Sequence, residues 1–327
     1  MDLVIGSSSI GTPWLWSAFL AFVLVMLALD LGVFHRKSHV VGFREALVWS
    51  AVWIALALIF CAFVWTRFGE TKGKEFLQGY LLEKALSVDN IFVFVLIFRA
   101  TKIPLILQHR VLYWGILTAL VLRAVMIFAG VELIERFEWM IFVLGAFLVF
   151  TGAKLFAQRE EEMRPEDTKL MQWAKRTIRS TPTLEGDRFF VKRDGRNYAT
   201  PMFLALLMVE FTDVVFAVDS IPAILGVTVD QFVVFTSNIF AILGLRSLFF
   251  CLAGMMDKFR YLKVGLAGIL VFIGLKMCCS KWVHVDHDVS LGVILGLLTL
   301  SVAASLVASR RDERREREAA ASKDAAP

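Results

Sequence analysis

Residues 201–224 read PMFLALLMVEFTDVVFAVDSIPAI, an apolar run long enough to cross a bilayer that nonetheless carries Glu210, Asp213 and Asp219. A second run, LLEKALSVDNIFVFVLIF at 81–98, carries Glu83, Lys84 and Asp89. A hydrocarbon core of about 30 Å takes roughly 17–25 helical residues to span. Seven further runs of that kind lie near 14–34, 43–66, 110–131, 139–157, 231–253, 261–279 and 289–308. The expected fold class is therefore an all-α polytopic membrane protein with about nine transmembrane helices. Composition agrees, since 58% of the 327 residues are hydrophobic, 29 are Phe and the mean hydropathy is +0.68. An ordinary soluble enzyme is excluded, because soluble domains hold about 45–50% apolar residues.

The first run is not read as a cleaved signal. Residues 1–13 contain no Lys or Arg, and the run carries Asp30 with no small-residue cleavage site behind it. Cytoplasmic loops carry the excess of Lys and Arg. With the N-terminus outside, 26 of the 35 basic residues fall on the cytoplasmic side and 6 on the other, leaving Lys84, Arg123 and Arg246 inside spans. The expected location is thus a bacterial inner (plasma) membrane, with the N-terminus periplasmic and the C-terminus cytoplasmic. This bias accounts for the net charge of +5, and no nucleic-acid motif accompanies it, so no nucleic-acid partner is expected. The tail RRDERREREAAASKDAAP mixes signs and reads as a solvated end. Four cysteines offer no CxxC and no paired metal-ligand spacing. No cofactor and no enzymatic activity are expected.

The two acidic runs resemble each other. Glu83 through Ile91 and Asp213 through Ile221 share an acid, four residues, Val, Asp, a small polar residue and Ile. Downstream, Arg123 matches Arg246, and the Phe-x-Gly-x-Lys stretch at 150–154 matches that at 272–276. The two units hold three runs each, an odd number, so the second crosses in the opposite sense. Such inverted repeats recur in secondary transporters, whose sites lie near the midplane where the repeats meet. The chain divides accordingly into helices 1–2 over 1–76, repeat 1 over 77–157, a connector over 158–200, repeat 2 over 201–280, and a last helix with tail over 281–327. The connector starts as a charged helical stretch, and RFFVKRDGRNYAT then reads as a hairpin around an Asp-Gly turn.

A charged Asp near the bilayer centre costs about 2.5–3.5 kcal/mol on insertion scales. Glu83, Asp89, Glu210, Asp213 and Asp219 must therefore be protonated, paired or metal-bound. Pairing with Lys84, Arg123 and Arg246 would make a network that only holds helices together. Five acids against three bases leave two formal negative charges, one divalent cation's worth. On a regular helix Asp213 and Asp219 stand about 120° apart, and Asp89 lies well off the face of Glu83, Ser87 and Asn90. A helix broken near Pro222 would relieve this, since the ring clashes with the carbonyl of residue 218. Carboxylates with Asn90, Ser87 and Ser220 would form a hard oxygen shell suited to Mg²⁺, Ca²⁺ or Mn²⁺. Asp30 reads equally as an interfacial residue or as part of an inner mouth. Asn238 reads as a further donor or as an interhelical hydrogen bond. Glycines 115, 130, 145, 152, 244, 265, 268 and 274 read as sites of close helix packing.

These segments, with VVFTSNIFAILGLRSLFF at 233–250, resemble the TerC family of integral membrane proteins, particularly its Alx-type bacterial members, from about residue 14 to 308. The resemblance implies a LysE-like transporter relative associated with Mn²⁺ export and alkaline response, with namesakes tied to tellurite resistance. It carries the family's intramembrane acids to Glu83, Asp89, Glu210, Asp213 and Asp219. The expectation is export of a divalent cation, most simply Mn²⁺, by alternating access with proton exchange, the partners being lipid and the cation itself. The same acids would serve a cationic amino acid. A membrane scaffold in redox stress or tellurite resistance, acting through the connector and tail, is the alternative.

Overall fold

The computed structural model describes residues 9–32, 42–157, 177–193, 195–253, 261–283 and 285–324. Helices α1 (Pro13–Gly32), α2 (Phe43–Phe68), α3 (Glu70–Ala100), α4 (Leu105–Arg136) and α5 (Met140–Ala157) are followed by a hairpin of β1 (Phe190–Arg193) and β2 (Arg196–Ala199). Helices α6 (Pro201–Leu225), α7 (Gln231–Leu243), α8 (Leu245–Leu252), α9 (Leu262–Cys278) and α10 (His287–Asp324) complete the chain. The hairpin is antiparallel with Phe190 opposite Ala199, and Gly195 takes φ +74° in the Asp-Gly turn, as the sequence leads one to expect. The charged helical stretch expected ahead of it falls mainly on 158–176, outside the described residues.

Among the described residues each apolar run is helical, the run at 231–253 being divided between α7 and α8. By length and apolarity α2, α4, α5, α6 and α10 each suffice to cross a membrane, and α7 with α8, bent by 41° at Gly244, makes a sixth. Helix α3 fails that test for an instructive reason: every 18-residue window in it contains Glu83, Lys84 and at least one further charged residue. The outward faces are apolar, with Ile59, Val121, Val125, Phe150 and Leu300 exposed. Trp14, Trp139 and Trp282 are exposed at one common end, where an aromatic belt sits at a membrane–water interface.

Turns set the direction of each helix. Gly69 alone links α2 to α3 at φ +96°, in the left-handed region that a side chain would resist. Asp230 caps α7, its Oδ1 accepting from the amides of Phe232 and Val233 at 3.1 and 3.3 Å. The connections α2–α3, α4–α5, α6–α7 and α9–α10 meet at the end opposite the hairpin, called here the far end.

Helix α3 packs chiefly on α7, α6 chiefly on α4, and α5 lies along α9. The last contact is backbone to backbone: a Cβ built on Gly152 would stand 2.8 Å from the carbonyl oxygen of Ala267. Two apolar layers fill the interior. Toward the far end Phe19, Phe60, Phe76, Phe232 and Phe240 form an aromatic cluster, with Trp16 packed against its rim. Toward the hairpin Ile91, Phe94, Leu112, Met208 and Phe249 form the other.

The break expected at Pro222 is absent. Helix α6 runs unbroken through it, with the proline in the last turn, where only three residues remain to be redirected. Helix α3 is also continuous. The interrupted element is instead the α7–α8 span. The acids that a straight helix aims away from the centre do not need a break, because neighbouring helices meet them.

Candidate functional site

Between the two apolar layers lies a layer of charge. Arg123, near the middle of α4, is 1% exposed. Its Nε and one terminal nitrogen donate to Asp213 of α6 at 3.2 and 2.9 Å, and the other terminal nitrogen donates to Glu83 of α3. Asn238 of α7 donates its side-chain amide to the second oxygen of Glu83 at 3.1 Å. One guanidinium thus joins three helices, and the amide brings in a fourth. Glu83 and Asn238 are fully buried and Asp213 nearly so. Glu83 lies thirteen residues into α3, about 20 Å of helix at 1.5 Å per residue, which is near a bilayer's middle depth.

The partners of this cluster are incompletely used. The Ser220 hydroxyl stands beside the Glu83 carboxylate without the alignment of a full hydrogen bond, and the Ser87 hydroxyl and the Asn238 carbonyl oxygen have no partner. Buried polar atoms without partners are rare and mark places where another group belongs. Asn90 is also buried on α3. A narrow cavity lined by Phe94, Leu112, Ile116, Val209 and Leu245 reaches Asp213 from the hairpin side.

The remaining acids are held apart from this cluster. Asp89 lies within electrostatic reach of Lys263 in the first turn of α9. Asp219 faces Thr151 and Lys154 of α5. Glu210, one turn from Asp213 on α6, faces Gly115 and Thr118 of α4, and neither of its carboxylate oxygens has a hydrogen-bond partner. Among the described residues no three of His, Cys, Asp and Glu come together as a metal-holding group. The structure therefore brings together Glu83, Asp213, Arg123, Asn238 and Ser220 and leaves Asp89, Asp219 and Glu210 at separate stations. The side chain of Asp30 lies outside the described residues. Arg246 is buried on α8.

Lys84 serves the backbone. Its Nζ donates to the carbonyl of Ala241 at 3.3 Å, at the C-terminal end of α7 where helix carbonyls lack partners. Gly244 at the break leaves room for it, since a Cβ there would stand 2.8 Å from that nitrogen.

One polar group escaped the sequence reading. At the far end Lys72 bridges Glu75 at 2.9 Å and Asp230 at 3.2 Å, Thr228 donates to Glu75 at 2.7 Å, and Ser9 donates to Asp230 at 2.9 Å. This ties the N-terminal segment, α3 and the α6–α7 turn together. Its signals were the Lys-x-x-Glu spacing, which puts both residues on one helix face, and an Asp directly before the apolar run of α7.

A bundle of apolar helices enclosing an ion-paired centre defines a multi-pass integral membrane protein with a charged core. The chain belongs to the TerC family: the family model described as "Integral membrane protein TerC family" matches residues 68–313. It is 61% identical over 302 residues to "Uncharacterized membrane protein STKORF319" of Myxococcus xanthus, covering 92% of this chain and 95% of that protein. It is 45% identical over 318 residues to a protein of Escherichia coli (strain K12) described as "Putative membrane-bound redox modulator Alx", covering 94% and 99% respectively. An uncharacterized membrane protein of Rickettsia bellii (strain RML369-C) is 41% identical over 292 residues, covering 89% and 97%. No solved structure matches the chain.

Proposed function

We propose that this protein is a divalent cation carrier, most simply for Mn²⁺, with Glu83 and Asp213 as the carboxylates that take the ion. The observation that carries the reading is the buried Glu83–Arg123–Asp213 cluster with idle oxygen atoms of Ser220, Ser87 and Asn238 around it. These are hard oxygen donors of the kind Mn²⁺ and Mg²⁺ take, and Zn²⁺ and Cu⁺ would favour His and Cys. Asn90 adds a neutral donor on the same helix. Glu210, Asp89 and Asp219 serve as stations beside the site, so that cation or protons pass from one carboxylate to the next.

Alternating access needs two related halves, and the packing supports an inverted repeat of α3–α5 with α6–α9. At the repeat offset of 122 residues, Gly145 corresponds to Ala267 and Gly152 to Gly274. Gly145 meets Gly274, and Gly152 meets Ala267, the reciprocal pairing of a two-fold axis. Gly79 likewise packs on Ser237, and Val209, 130 residues after Gly79, packs on Gly115. The count is then nine spans, with α7–α8 as one broken span. The charge bias orients the hairpin end toward the cytoplasm of a bacterial inner membrane, which puts the cavity beside Asp213 in the cytoplasmic half; outward movement of the cation is the direction proposed.

A redox role, as the description of the Escherichia coli relative has it, would have to rest on the cysteines. The two that adjoin, Cys278 and Cys279, sit at the far end of α9, away from the charged cluster.

The test is ⁵⁴Mn²⁺ efflux from cells and uptake into inverted vesicles. Glu83→Gln and Asp213→Asn, at membrane levels equal to wild type, are expected to lower the rate at least tenfold. Wild-type rates in both variants would sink the reading.

A further inference from the structure

The arrangement of Arg123 between its neighbours contains more than a helix clamp. The guanidinium fills the position between Glu83 and Asp213, the place a cargo cation needs. One turn along the same face of α6, Glu210 stands with both oxygens unpartnered. Asp213 and Glu210 are three residues apart, about 4.5 Å of helix rise. Both face α4, the helix that carries Arg123, and at the level of Glu210 that helix presents Gly115, where even an added Cβ would stand 3.9 Å from the Glu210 oxygen. Arginine offers five N–H donors in a planar fork that fits carboxylates and keeps its charge under all conditions met by a cell.

We propose that Arg123 is a tethered cation with two seats: it occupies Glu83 and Asp213 when the carrier is empty, and moves to Glu210 when the cargo cation takes its place. The inference rests on the carrier reading above and assigns a role within it. Charge favours it. Glu83, Asp213 and Glu210 with Arg123 carry a formal charge of minus two, so one divalent cation brings the group to neutrality. If Arg123 stayed in place, the cation would enter beside a fixed positive charge. If it left for no partner, it would be a bare buried cation. Glu210 removes both objections, and its own lack of a partner in the present structure is explained by its seat being vacant.

A purely structural Arg123 and a tethered one differ in the steps they affect. An empty carrier must reorient with Arg123 covering the two carboxylates, so net transport needs it. Exchange of one Mn²⁺ for another uses only loaded carriers. Purified full-length chain in vesicles of Escherichia coli polar lipid is therefore assayed twice, for net ⁵⁴Mn²⁺ efflux into Mn²⁺-free buffer and for ⁵⁴Mn²⁺ exchange with Mn²⁺ on both sides. In Arg123→Gln the ratio of net efflux to exchange is expected to fall at least tenfold, and in Arg123→Lys, which keeps the charge, by no more than about threefold. Glu210→Gln removes the second seat, and Mn²⁺ binding by the purified protein is expected to weaken at least tenfold. Equal loss of both rates in folded Arg123→Gln, or wild-type Mn²⁺ affinity in Glu210→Gln, overturns the switch while leaving the carrier reading standing. Where Arg123→Gln does not fold, the Lys variant and Glu210→Gln decide. A wild-type chain that moves no Mn²⁺ in either assay overturns the carrier reading and the switch with it.

Discussion

Gly145 of α5 and Gly274 of α9 stand backbone against backbone. A Cβ on Gly145 would lie 2.9 Å from the carbonyl oxygen of Gly274, and a Cβ on Gly274 would lie 2.6 Å from that of Gly145. Main-chain atoms are among those obstructing each Cβ, so moving the neighbouring side chains of Cys278, Met277 and Val149 would not by itself make room. In lipid, close packing of small residues is a principal source of helix association. Gly145→Val and Gly274→Val are each expected to destabilise by about 1–3 kcal/mol, the usual cost of overpacking. The melting temperature in detergent, followed by tryptophan fluorescence, reads this. Gly292→Ala is the control: a Cβ there meets nothing within 4 Å, so its melting temperature should stay or rise.

The pairing of Lys84 with the α7–α8 break makes a second prediction. In Gly244→Ala the new Cβ displaces the Lys84 ammonium and crowds Trp53, whose Cβ would be 3.1 Å away. Lys84→Met removes the ammonium and so relieves part of that conflict. The double variant is expected to be more stable than the sum of the singles by about 0.5–3 kcal/mol, the range for residues in contact. Strict additivity in a double-mutant cycle would show that Lys84 and Gly244 act independently.

Asp230 serves both as helix cap and as ion-pair partner, and two substitutions separate the roles. Asp230→Asn keeps Oδ1 for the amides of Phe232 and Val233 and replaces the Oδ2 that faces Lys72 and accepts from the Ile10 amide. Asp230→Ala removes both. The Ala variant is expected to lose about 0.5–2 kcal/mol more than the Asn variant, the value of a cap. Equal melting temperatures for the two would leave the ion pair as the whole contribution.

The fold was legible because lipid demands it: helices cover the apolar runs, and the excess of acid over base in two of those runs pointed to the centre. What could not be read was which acid meets which partner. In the sequence Glu83 aligns with Asp213 and Asp89 with Asp219, but nothing in that alignment says that Glu83 and Asp213 share Arg123 while Asp89 lies within reach of Lys263 of α9 and Asp219 of Lys154 of α5. Helical phase supplied the separation between them, about 120° for Asp213 and Asp219, but it does not say which helix stands on each side. That ignorance made a broken helix at Pro222 look necessary. Glu75 and Asp230 were missed for a different reason: they lie at span ends, where a charge costs little and attracts no notice.

The last prediction concerns the way in. The cavity beside Asp213 is bounded by Ala119 of α4 and lies within the hairpin-side layer, whereas Ala217 of α6 lies on the other side, within the aromatic cluster of Phe232, Phe235 and Phe240. A water-borne thiol reagent needs a hydrated path, and on the carrier reading only the first position gains one when the carrier opens. With Cys61, Cys251, Cys278 and Cys279 replaced by Ser, a cysteine at 119 should react with a charged methanethiosulfonate in inverted vesicles, which present the cytoplasmic face. A cysteine at 217 should not react from either face. Bound Mn²⁺ should slow the reaction at 119, because cargo at Asp213 closes the inner end of the same cavity. Labelling of residue 119 from the periplasmic face alone would reverse the orientation argued from the charged loops, and equal labelling of 119 and 217 would show that the aromatic cluster does not keep water from the far-end side.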